Sequence, residues 1–141
     1  MLKKQDYNGL TWLDLEAPTE AEIKQVAEEY HLHPLAAAEL GAPSARSKVD
    51  LYSDFIYLIF HFPICNLCYG KRLSTGEDTE EIDFIIGQNF LITVHYQIIE
   101  SLTEFARIFS VNYLKERGRK FHAGYIFYFL MRHLYGSLST G

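Results

Sequence analysis

The sequence predicts an α/β fold, a mixed β-sheet sandwiched between helices. Phe55 to Phe62 is apolar at every position except His61. A strand that is apolar on both faces must be covered on both faces. A run of eight residues is also far too short to span a bilayer. Thr19-Glu20-Ala21-Glu22 then opens an amphipathic helix, and the order of elements reads β, α, α, β, β, β, β, α, α. Strands interrupted by helix pairs give a sheet with helices packed on it.

Residues 1–9 are polar and end in Asn8-Gly9, a turn signal. They are read as a lead-in. Leu10 to Leu15 alternates, with Leu10, Trp12 and Asp14 on one side and Thr11, Leu13 and Leu15 on the other. Pro18 stops this strand. Thr19 and Glu22 have the spacing of a capping box, and Ile23, Val26, Ala27 and Tyr30 form one apolar stripe. The helix is expected from about Thr19 to Tyr30. Pro34 disfavours helix at His33 and suits the first turn of a new short helix, Leu35 to Leu40.

Lys48 to Tyr52 alternates, with Val49 and Leu51 pointing one way and Lys48, Asp50 and Tyr52 the other, as in a strand with one wet face. Ser53-Asp54 is a turn, and Phe55 to Phe62 follows as an interior strand. Residues 65–79 read as a loop or a ragged hairpin end. Glu80 to Ile86 and Phe90 to Val94 are strands joined at Gly87-Gln88-Asn89. Ile98 to Glu116 is a helix with Ile98, Leu102, Phe105, Ala106, Phe109 and Tyr113 as its stripe. Ala123 to Leu138 is a helix apolar nearly all round, so part of its surface is expected to meet another chain or a continuation of this one.

The chain has 141 residues, 48% of them hydrophobic, which suits one domain with a sizeable core. Its formal net charge of -5 argues against nucleic acid, whose binders rely on basic side chains. No signal peptide and no run of about 18 apolar residues is visible, so a cytosolic setting with reduced thiols is expected.

Few motifs carry chemistry. Cys65-Asn66-Leu67-Cys68 lies four residues after His61, and the three are a candidate zinc set. A zinc site needs three or four converging ligands, and there is no second pair. Two loop thiols and a satisfied rim histidine explain the residues as well. His31 and His33 flank a helix end, where a terminal cap is the simpler role. The acidic run Glu77-Asp78-Thr79-Glu80-Glu81 and the cations from Lys115 to Lys120 read as solvated surface. No phosphate loop, nucleophile elbow or His-Glu-x-x-His is present, so no enzyme is indicated.

Three stretches resemble the N-terminal cytosolic domain of the CorA family of divalent-cation (Mg²⁺/Co²⁺) transporters. They are Thr11-Trp12-Leu13-Asp14-Leu15-Glu16-Ala17-Pro18-Thr19-Glu20, His31-Leu32-His33-Pro34-Leu35, and Arg46-Ser47-Lys48-Val49-Asp50 with Tyr52, Asp54 and Phe55. The hairpin Glu81 to His95 and the helix opening at Gly124-Tyr125 resemble it too. The similarity runs from about Leu10 to Leu138. It implies a homopentameric inner-membrane channel for Mg²⁺, with Co²⁺ and Ni²⁺ also carried by some members and Zn²⁺ by a related branch. The whole of 1–141 would be the single cytosolic domain, at the inner face of the membrane. The stalk helix and membrane helices would lie beyond it, so membrane contact would come only through those helices.

The resemblance also implies a regulatory site. Family members place a Glu-Asp pair on the short helix after His-Pro-Leu, facing a neighbouring protomer and binding regulatory Mg²⁺. Here those positions read Ala38-Glu39. Glu39 keeps one carboxylate and is the candidate regulatory ligand; Ala38 has lost the other. The alternatives are a Zn²⁺ transporter domain, toward which His61, Cys65 and Cys68 lean, and a free-standing cytosolic metal-binding protein.

Overall fold

The computed structural model describes residues 1–7, 9–63, 79–115 and 123–139. The backbone runs β1 (Leu2–Tyr7), β2 (Leu10–Glu16), α1 (Glu20–Tyr30), α2 (Pro34–Glu39), β3 (Lys48–Leu51), β4 (Ile56–Pro63), β5 (Thr79–Ile86), β6 (Phe90–His95), α3 (Glu100–Lys115) and α4 (Ala123–Ser139). The six strands form one sheet in the order β1-β2-β6-β5-β4-β3. The β2–β6 pair is parallel and every other pair antiparallel, so the sheet is mixed, as expected.

The period of two divides each strand between two cores. Leu13, Leu15, Tyr57, Ile59, Ile85, Ile92 and Val94 meet Ile23 and Val26 of α1 and Ala36 of α2 on one face. Leu10, Trp12, Leu58, Phe62, Phe84 and Leu91 meet Leu102 and Phe105 of α3 and Ile126 and Leu130 of α4 on the other. β4 has a strand on either side and helices above and below, which is the placement its doubly apolar sequence requires.

Local signals set the helix ends. Glu22 N donates to Thr19 Oγ1 at 3.1 Å and Thr19 N donates to Glu22 Oε1 at 2.9 Å, the reciprocal capping box. His31 ends α1 in the left-handed region at φ 54°. His33 caps α2, its Nδ1 accepting from Leu35 N at 3.1 Å. Both histidines therefore serve helix ends.

The structure corrects several expectations. Residues 2–7 are not a lead-in but β1, paired with β2 along its full length. The backbone groups on that edge of β2 need partners whatever side chains supply them. Lys3, Lys4 and Asp6 are the charged residues an edge strand tolerates. In β3 the apolar residues are the wet ones: Val49 is 59% and Leu51 79% exposed, while Lys48 and Asp50 turn toward α2. Ile98 is 72% exposed, and Ile99 takes the core position instead. The acidic run is not all solvated, since the Glu81 side chain is almost wholly buried and Glu80 is half-buried. Glu77 and Asp78 of that run, Cys65 and Cys68, and the cations beyond Lys115 lie outside the described residues.

Candidate functional site

The densest polar constellation lies between α2 and the β3–β4–β5 part of the sheet. α2 is short and starts on Pro34, and its Ala36 is fully buried against the sheet. That seating brings Glu39, at the end of the helix, over β3. The Lys48 ammonium donates to Glu39 Oε1 and reaches Asp50 Oδ2 at 2.9 Å, so one cation bridges two carboxylates. Those two hydrogen bonds, Glu39 first and Asp50 second, raise the Lys48 pKa. The same ammonium lies 5.7 Å from the centre of the Tyr57 ring.

Below this clamp the sheet carries a second layer. Ile59 of β4 stands opposite Asp83 of β5, and His61 opposite Glu81, which puts His61, Glu81 and Asp83 on the α2 side of the sheet with Tyr57. Tyr57 Oη donates to Asp83 Oδ2 at 2.6 Å. Ser44 N donates to Glu81 Oε1 at 2.6 Å. His61 Nε2 lies 2.8 Å from Ser44 O and Nδ1 lies 2.8 Å from Ser47 Oγ. A carbonyl can only accept, so Nε2 donates to Ser44 O. Burial pushes the Tyr57 phenol well above its ordinary range, with the Asp83 charge adding to it. Burial, with the nearby Glu81 adding to it, pushes Asp83 up to about 9.

A separate network ties β2 to β6. His95 is buried, with Nε2 2.9 Å from Asp14 Oδ2 and Nδ1 2.6 Å from Gln97 O. Both partners are acceptors, so both ring nitrogens donate and the ring is an imidazolium. Burial alone would lower its pKa; the Asp14 carboxylate outweighs that and leaves it raised. Thr93 Oγ1 donates to Asp14 Oδ1 at 2.7 Å and accepts from Trp12 Nε1 at 3.0 Å. Every buried polar group of this set is matched, and its role is to fix the parallel pair.

Of the residues singled out in the sequence, Glu39 stands on α2 with its side chain partly exposed and its Oε2 buried. His61 is held by Ser44 and Ser47, and the structure does not bring it to Glu39 as a ligand pair. Cys65 and Cys68 lie outside the described residues. Among the described residues no group of three His, Cys, Asp or Glu is placed to hold a metal. Among the described residues the sequence-predicted ligand Glu39 has Oε1 holding the Lys48 ammonium and Oε2 without a hydrogen-bond partner. Sequence reasoning missed Lys48, Asp50, Tyr57 and Asp83. A signal did exist for Asp83, a lone carboxylate in the otherwise apolar Ile82-Asp83-Phe84-Ile85-Ile86.

The profile of the family described as CorA-like Mg²⁺ transporter protein matches residues 7–140. The chain belongs to that family. It is similar to the magnesium transporter ALR1 of Saccharomyces cerevisiae, 34% identical over 83 residues, which is 59% of this chain and 8% of that protein. The complete CorA magnesium transporter of Methanocaldococcus jannaschii shares the fold at a TM-score of 0.68 and 19% identity, over 96% of this chain and 40% of that one. The ZntB cytoplasmic domain of Vibrio parahaemolyticus does so at 0.64 and 18%, over 90% of this chain and 48% of that domain. The chain thus spans less than half the length of each of these CorA-like relatives. No helix among its described residues is long and apolar enough to cross a membrane.

Proposed function

We propose that this chain is the cytosolic regulatory domain of a CorA-like membrane transporter of Mg²⁺, with Co²⁺ or Ni²⁺ as further cargo. The family match across residues 7–140 carries the reading. The longer protein assembles as a homopentamer at the inner face of the membrane. At the protomer interface Glu39 supplies one carboxylate to a regulatory divalent cation. That cation favours the closed state by bridging chains that would otherwise repel; as cytosolic Mg²⁺ falls, the closed state loses its advantage. Mg²⁺ keeps several of its waters and needs few protein carboxylates, which suits a site with a single acid from this chain.

Titration calorimetry of the longer membrane protein tests the role of Glu39. Glu39→Ala is expected to weaken Mg²⁺ binding and shift gating to higher Mg²⁺. Unchanged affinity and gating would remove Glu39 from the mechanism.

The second reading is a Zn²⁺ transporter domain, favoured by the shared fold with the ZntB cytoplasmic domain. It predicts stoichiometric Zn²⁺ in the purified protein that is lost in Cys65→Ser. Metal analysis separates the two.

A further inference from the structure

Glu39 does not stand alone on its side of the sheet. Lys48 and Asp50 lie two positions apart on β3 and share the face that turns toward α2. The Lys48 ammonium donates to Glu39 Oε1 and sits 2.9 Å from Asp50 Oδ2. α2 carries no basic residue in its last turn, so the cation that a helix C-terminus favours comes from β3. Among the described residues no other cation pairs with either acid. One ammonium between two carboxylates leaves the group net negative, and Glu39 Oε2 has no donor, so the carboxylate keeps capacity for a further cation. That Oε2 is buried. A cation arriving from solvent or from a neighbouring chain therefore meets Glu39 at Oε1, the oxygen that the ammonium already holds.

We propose that Lys48 is a tethered competitor for the divalent cation at Glu39: its ammonium holds the carboxylate when the cation is scarce and withdraws to Asp50 when the cation binds. The competition rests on Glu39 being the regulatory ligand proposed above, and it sets the concentration at which that ligand fills.

The surroundings of Lys48 suit such an exchange. The side chains of Lys48, Glu39 and Asp50 are 31%, 38% and 39% exposed. Water screens ion pairs so placed, and a dication carries twice the charge of the ammonium it displaces. A lysine ammonium is a compact charge with three donors on a flexible stem, so it can release one acceptor and keep another. Asp50 keeps it paired after the exchange, and the Tyr57 ring lies 5.7 Å away on the same side. Two opposite effects follow. Removing the ammonium strengthens cation binding. Removing the Asp50 charge weakens it, because the ammonium then has Glu39 alone.

Titration calorimetry with Mg²⁺ on the longer membrane protein tests the competition. Lys48→Gln is expected to bind Mg²⁺ about threefold more tightly or better, the factor that loss of one partly exposed ion pair allows. Asp50→Asn is expected to bind about threefold more weakly on the same scale. Lys48→Arg keeps a cation at the same place and should gain no affinity. Lys3→Gln removes an equal charge from β1, at the opposite edge of the sheet from β3, and should match the parent. Should Lys48→Gln fail to fold, Lys48→Met keeps the apolar stem and makes the same comparison. Parent-like or weaker binding in Lys48→Gln, while Glu39→Ala loses affinity, would overturn the competition and leave Glu39 as a ligand. Unchanged affinity in Glu39→Ala would overturn both. Equal tightening in Lys48→Arg or Lys3→Gln would assign the effect to something other than the ammonium on Glu39 and would overturn the competition as well.

Discussion

Ile126→Ala, set against Tyr128→Ala, tests which face of α4 is the inner one. The helix is apolar nearly all round, yet Ala123, Ile126, Leu130 and Leu134 are buried while Tyr125, Tyr128, Phe129 and Tyr135 are exposed. Ile126 is completely enclosed against the sheet face that holds Phe84 and Leu91. Cutting its side chain back to Cβ loses transfer energy of about 0.8 kcal/mol per carbon, or roughly 2.4 kcal/mol. The cavity left behind adds to this, and the better helix propensity of Ala gives back about 0.4 kcal/mol. A net loss of about 3 kcal/mol follows, within the range of roughly 2–5 kcal/mol for such truncations. With a urea slope of about 2 kcal/mol per M, the unfolding midpoint falls by roughly 1.5 M. Tyr128→Ala touches an exposed position and should stay within about 0.5 kcal/mol. Urea denaturation followed by circular dichroism gives both values. Equal losses, or a larger loss at Tyr128, would refute the orientation of the helix.

Two further predictions concern the polar network and the first helix cap. The His95 pKa is raised in the folded protein, so its contribution is fully present below its ordinary value of about 6.5 and is lost as pH rises through the folded value. Asp14→Asn should flatten that decline in a pH series of thermal melts; an unaltered decline would show that Asp14 does not hold the imidazolium. Thr19→Ala breaks the capping box and should cost about 1 kcal/mol, measured by urea denaturation, with Glu22→Ala adding little once Thr19 is gone.

Much of the fold was legible because its signals are local. The Thr19–Glu22 box, Pro34 at the start of α2 and the Gly87-Gln88-Asn89 turn each act within a few residues. At Gly87 the reason is close approach: a Cβ there would come within 2.2 Å of the Phe90 ring. β1 was not legible because its partner, not its own side chains, makes it a strand. The candidate site was legible only at Glu39, through likeness to a family motif. Its neighbours Lys48, Asp50 and Tyr57 converge from segments 9 to 18 positions along the chain, and Asp83 from 44, so spacing could not reveal them.

The sequence by itself determined the α/β class, the doubly covered strand from Phe55 to Phe62 and the family. Hydrophobic period and turn chemistry are written into consecutive residues. Only the tertiary structure decided that Val49 and Leu51 face outward, that α4 hides Ile126 and shows Tyr128, and that Glu39 is held by Lys48 above a buried acid pair. Those outcomes depend on which surface another element covers. A residue's own chemistry states what burial would cost it; the rest of the fold determines whether it is buried and beside what.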